Sequence, residues 1–124
     1  MVRILLIEDD RFTRELYETL LKGEGYDLEV AEDGAAGLAK AIEGGFDLIL
    51  LDIIMPKIDG LTFLRKIKEI PAKKKNKKIV MLTVLNQDEF IKNALRMGAH
   101  GYLMKSALRP DEVLAEIAVF LKTE

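Results

Sequence analysis

The chain has no cysteine, no tryptophan and a single histidine, His100. Without cysteine there is no disulfide framework, no thiolate zinc site and no cysteine nucleophile. One histidine excludes a multi-histidine metal centre. Long hydrophobic runs are missing too: stretches such as Ile4–Ile7, Leu48–Leu51 and Ile53–Met55 are short, far below the ~20 apolar residues of a membrane span. The N-terminus offers only Arg3, a short apolar run and then Glu8-Asp9-Asp10, which is not a secretory signal. These absences and the lack of cysteine fit a cytoplasmic chain with no membrane attachment. Neither sign of charge dominates: 19 basic against 21 acidic residues leave −2. A dedicated nucleic-acid binder shows a net basic footprint instead. What is present, 124 residues at 49% hydrophobic and 32% charged, suits one soluble domain.

Apolar runs and amphipathic stretches alternate along the chain. Val2–Ile7, Leu28–Ala31, Leu48–Leu51, Ile79–Val84 and His100–Met104 read as strands, several of them apolar on both faces. Between them lie helical patterns. Phe12, Leu16, Leu20 and Leu21 mark a stripe over Arg11–Lys22, ended by Gly23 and Gly25. Ala35–Ile42 follows the Asp33-Gly34 turn and closes at Gly44-Gly45. Phe63, Leu64, Ile67 and Ile70 mark a third helix, stopped by Pro71. Asn86 and Glu89 form a capping-box pattern for a fourth, which runs to about Met97. Pro110 opens a fifth, with Val113, Leu114, Ile117, Phe120 and Leu121 on its buried face. Five βα units predict an α/β fold, a parallel sheet covered by helices on both sides. Their number and length suit the flavodoxin-like doubly wound (βα)5 sandwich with strand order 2-1-3-4-5.

In such a sheet ligands bind beyond the carboxyl ends of the strands. The first strand ends there in Glu8-Asp9-Asp10, the third in Asp52, the fourth near Thr83 and the fifth at Lys105. Asp10, nearest the helix start, reads as an N-cap. Asp9 and Asp52 are costly at the ends of buried strands without a partner. Carboxylates gathered together either gain protons or bind a cation. With oxygen donors alone, that cation is Mg²⁺ or Mn²⁺ rather than zinc. Thr83 alone reads more often as a capping or structural hydroxyl and Lys105 more often as a surface lysine; sharing an edge with the acids gives them weight. His100 reads as a half-exposed residue at a strand start. The lysines between 73 and 78 read as a solvated loop, and the methionines as core filler.

Ile4–Asp10, Asp47–Pro56 with Asp59-Gly60, Met81-Leu82-Thr83 and Gly98–Lys105 together resemble the receiver domain of two-component response regulators. The resemblance covers residues 1–124. It implies that Asp52 accepts a phosphoryl group from a sensor histidine kinase or phosphotransfer protein. It implies Mg²⁺ held by Glu8, Asp9, Asp52 and the backbone carbonyl of Ile54, with Asp9 a direct ligand. Thr83 and Lys105 would bind the transferred group. Thr83 and Tyr102 would form the switch, read by a protein target on the face of the fourth helix, fifth strand and fifth helix. Such a chain is a phosphoacceptor, not a turnover enzyme, and does not itself bind nucleic acid.

Several positions depart from the family's common pattern. Val84 stands where a small residue is usual, and its bulk would narrow access to Asp52 or restrain Thr83. Ser106 follows Lys105 where proline is common, which suggests a trans bond there. Ile54 and Leu85 are apolar and cannot orient an attacking water, so loss of phosphate is expected to be slow. The segment Gly98–Tyr102 lacks the paired acids of dimerising receivers, which suggests a monomer. Little chain follows the fifth helix, which points to a receiver without an output domain. A receiver cut from a longer regulator or hybrid kinase is the alternative. A Mg²⁺-dependent phosphohydrolase is a second, weakened by Ile54 where a second acid would stand.

Overall fold

The apolar runs pair side by side. In a computed structural model that describes residues 1–84, 87–105 and 108–123, five strands form one parallel sheet: β1 (Arg3–Ile7), β2 (Asp27–Ala31), β3 (Leu48–Asp52), β4 (Lys78–Thr83) and β5 (Gly101–Met104). The order is β2-β1-β3-β4-β5. The helices are α1 (Arg11–Gly23), α2 (Gly34–Glu43), α3 (Gly60–Glu69), α4 (Asp88–Arg96) and α5 (Pro110–Lys122). The doubly wound fold expected from the sequence is therefore present.

Alternate strand residues divide the interior in two, as a pleat with period two requires. Leu5, Ile7, Ile49, Leu51 and Met81 pack with Leu38, Phe63, Leu64 and Ile91 of α2, α3 and α4. Ile4, Leu6, Leu48, Leu50 and Leu82 pack with Tyr17 and Leu21 of α1 and Val113 and Ile117 of α5. The central strands are buried on both faces, which explains why they read as unbroken apolar runs.

Several expectations change. The stripe assigned to α1 is only partly its buried face: Leu21 faces the core and Leu20 packs against it, but Phe12 is 77% exposed and Leu16 39%, and Tyr17, outside the stripe, is buried instead. An every-fourth-residue stripe drifts around a helix of 3.6 residues per turn, so Phe12 emerges at the rim of the sheet. The fourth strand ends at Thr83, not Val84. The residue capping α4 is Gln87, whose side chain makes no cap hydrogen bond; Asn86, assigned that role above, lies outside the described residues, as do Leu85 and Ser106. The lysine segment does form a connection between α3 and β4, but it is tied down. Asn76 accepts from the Phe46 N–H at 3.1 Å and donates to the Ala41 carbonyl at 2.9 Å. His100 is exposed, and its Nδ1 accepts from the Ile79 N–H at 3.1 Å.

Candidate phosphoacceptor site

The parallel register places the ends of β1, β3 and β4 together. Ile7 lies opposite Leu51, and Asp52 opposite Leu82. Glu8, Asp9, Asp52 and Thr83 therefore emerge at one edge. Lys105 joins them because its N–H donates to the Thr83 carbonyl at 2.8 Å. Behind Asp52 the chain turns sharply into α3. The Gly60 N–H donates to the Ile53 carbonyl at 2.7 Å. A Cβ on Gly60 would lie 2.8 Å from the Asp52 carbonyl oxygen, so glycine is what lets α3 start directly against the acid.

Carboxylate oxygens of Glu8, Asp9 and Asp52 lie within 4.8 Å of one another. Glu8 is wholly buried, Asp52 is 6% exposed and Asp9 is exposed. The Lys105 ammonium donates to Glu8 at 2.7 Å and to Asp52 at 3.3 Å. The second Glu8 oxygen accepts the Asp10 N–H at 3.2 Å. One ammonium thus faces three carboxylates. Burial, and then the neighbouring Glu8 carboxyl, push Asp52 up to about 8. Burial draws the Lys105 ammonium down, but Glu8 and Asp52 outweigh it and hold it above the usual lysine value. This excess of negative charge on all-oxygen donors fits a hard divalent cation such as Mg²⁺.

Asp10 stands apart from the cluster. Its carboxylate caps α1, accepting from the Thr13 N–H at 2.9 Å and the Thr13 hydroxyl at 2.7 Å. Those bonds hold it below the usual aspartate value. Thr83 is buried at the same edge, but its hydroxyl donates to the Gln87 side chain at 2.5 Å. Tyr102 is turned outward, 46% exposed, and Ile54 is 53% exposed. Val84 is 39% exposed and lines a groove of ≈ 310 Å³ with Asp10, Phe12, Leu16, Tyr17 and Lys105. Sequence reasoning missed two participants. Gln87 carries no signal of its own. Arg14 reaches back from α1 to donate to the Glu8 and Asp9 carbonyls at 3.0 and 3.2 Å, holding the acidic turn; an arginine one helical turn after an acid pair is a weak hint of this.

A doubly wound sheet with a buried aspartate, an acid pair and a lysine at its carboxyl edge fits the phosphoacceptor class of signalling proteins. The comparisons agree. The sequence model of the response regulator receiver domain matches residues 4–118. The chemotaxis protein CheY of Treponema pallidum (strain Nichols) is 40% identical over 123 residues, 97% of this chain and 83% of that protein. The transcriptional regulatory protein DltR of Streptococcus agalactiae serotype III (strain NEM316) is 36% identical over 94% of this chain, which spans about half of that protein, 50%. Among solved structures, the Vibrio cholerae chemotaxis protein CheY4 superposes with a TM-score of 0.85 at 30% identity, covering 97% of this chain and 98% of that one. The chain belongs to the response regulator receiver domain family. It is a receiver of the two-component phosphorelay kind. Receivers of this kind are phosphoacceptors that bind Mg²⁺ in an acidic pocket and meet histidine kinases and downstream targets. Among the described residues no helix is long and apolar enough to cross a membrane.

Proposed function

We propose that residues 1–124 act as one phosphoacceptor domain in which Asp52 takes the phosphoryl group of a donor phosphohistidine. The observation that carries this reading is the buried Asp52 carboxylate held 3.3 Å from the Lys105 ammonium among Glu8 and Asp9. A carboxylate oxygen of Asp52 attacks phosphorus in line; the O–P bond forms as the P–N bond to the donor imidazole breaks. The imidazole leaves and takes its proton from solvent. Lys105 exchanges part of its contact with the carboxylates for a phosphoryl oxygen, and the Thr83 hydroxyl donates to another. Bound at Glu8, Asp9, Asp52 and the Ile54 carbonyl, Mg²⁺ (or Mn²⁺) would neutralise the phosphoryl oxygens and let one anion approach another. Asp9 suits direct ligation because it is exposed, whereas Glu8 is committed to Lys105 and the Asp10 N–H.

The product is an acyl phosphate on Asp52. Apolar Ile54 offers no acid or base to turn it over, so the domain stores phosphate rather than cycling a substrate. That separates it from a Mg²⁺-dependent phosphohydrolase. Thr83 then moves to the phosphoryl group and Tyr102, now outward, turns in behind it. The changed face of α4, β5 and α5 is read by a protein target. Exposed Phe12 and Leu16, beside the groove that ends at Lys105, are available to the donor protein. The domain works as a cytoplasmic monomer without contact to nucleic acid or membrane. Intact-mass measurement after incubation with acetyl phosphate tests the reading. A phosphoryl adduct is expected only with Mg²⁺ present and is expected to be lost in Asp52→Asn; an adduct of equal yield in the variant would remove Asp52 from its role.

A further inference from the structure

Gln87 occupies the N-cap position of α4 yet caps nothing. Its side chain turns back to the end of β4 instead and is nearly buried, at 9% exposure. There one oxygen, Oε1, meets two donors. The Val84 N–H donates to it at 2.9 Å and the Thr83 hydroxyl at 2.5 Å. The orientation of the carboxamide follows from the chemistry. A backbone N–H is a donor only, so the group facing Val84 must be the oxygen, and the threonine hydroxyl beside it must then give its single proton. The Val84 carbonyl lies farther from the hydroxyl, at 3.1 Å, and is the weaker claimant. That proton is the one the phosphoryl group would need.

We propose that Gln87 is the latch of the receiver switch: it holds the Thr83 hydroxyl in the unphosphorylated state and ties that state to the N-terminus of α4. The proposal rests on the phosphoacceptor reading of Asp52 and Thr83. To donate to a phosphoryl oxygen, Thr83 must leave Gln87. The Gln87 oxygen then keeps only the Val84 N–H, and the first turn of α4 loses one of the two bonds that tether it to the end of β4. The latch gives a direct mechanical link between an event at Asp52 and a movement at α4. It is thermodynamically reciprocal. Weakening the latch favours the switched state, so any ligand that selects that state must bind more tightly.

The test uses the whole protein with Mg²⁺ and beryllofluoride, which adds to a carboxylate as a phosphoryl analogue. Gln87→Met keeps the length of the side chain and removes the acceptor. It is expected to bind beryllofluoride about fivefold more tightly than wild type, the worth of one net hydrogen bond. In a Thr83→Ala background the same substitution should change affinity little, because the latch acts through Thr83. In the unligated protein, the Thr83 methyl resonance should move in Gln87→Met toward its beryllofluoride-bound position and stay near its wild-type position in Gln87→Glu, which keeps an acceptor. Thermal melts of each variant verify folding. Equal or weaker binding by Gln87→Met, an undiminished effect in the Thr83→Ala background, or an unmoved Thr83 methyl would each overturn the latch. Wild-type protein that binds no beryllofluoride would overturn the phosphoacceptor reading itself and the latch with it.

Discussion

At the scale of single residues the protein spends stability on its site. Asp52 carries an acid constant raised to about 8 by burial and by Glu8. A carboxyl group whose folded value lies above its unfolded value binds more protons when folded. Its contribution is therefore fully present below about pH 4 and is lost as pH rises through about 8. Asp52→Asn carries no such penalty. Its melting temperature should exceed that of wild type by a margin that widens from pH 4 to pH 8, with a gain of order 1–3 kcal/mol at the alkaline end; a constant margin across that range would contradict the assignment. Protons and a divalent cation compete for the same oxygens, so Mg²⁺ affinity measured by calorimetry should fall as pH drops from 9 to 6. Lys105 shows the converse. It is the ammonium bonded to the wholly buried Glu8. Lys105→Ala should destabilise the protein by about 3–5 kcal/mol in chemical denaturation, since a buried carboxylate is left without its counter-charge. Glu8→Gln in the same chain should recover much of that loss.

At the scale of elements, burial rather than composition decides what each helix contributes. Leu21 of α1 is 1% exposed and Phe12 is 77% exposed. Leu21→Ala should cost about 2–5 kcal/mol by denaturant unfolding, while Phe12→Ala should stay within about 0.5 kcal/mol; similar losses would return Phe12 to the buried face that the sequence suggests. The caps of α1, α2 and α3 are alike: Asp10, Asp33 and Asp59 each accept the N–H three residues on, at 2.8–2.9 Å. Asp10 was legible as a cap because it lies nearest the helix start. α4 breaks the pattern because its cap residue is engaged with β4. That engagement could not be read from the chain. Gln87 follows Thr83 by four residues, and a glutamine there has no distinctive propensity or spacing. The exposed Phe12 was illegible for a different reason: apolar periodicity reports that a face is sticky, not whether the sheet or another protein covers it.

At the scale of the whole molecule, strand order and the acidic edge were legible because both follow from pattern. Fully apolar strands alternating with amphipathic helices leave few topologies, and the parallel order 2-1-3-4-5 gathers every strand's carboxyl end. Glu8, Asp9, Asp52, Thr83 and Lys105 were therefore predictable as neighbours, though not which atoms of Glu8 and Lys105 would bond. A cation site assembled from separate strands would have a global consequence. Mg²⁺ that binds only the folded edge should raise the melting temperature with its concentration, and far less in Asp52→Asn. The measurement that tests the central claim most directly locates the phosphoryl group. After phosphorylation with acetyl phosphate and Mg²⁺, borohydride reduction converts an aspartyl phosphate to homoserine, which tandem mass spectrometry places in the chain. The account predicts homoserine at position 52; reduction at Asp9, or no reduced residue in protein that carries the adduct, would contradict it.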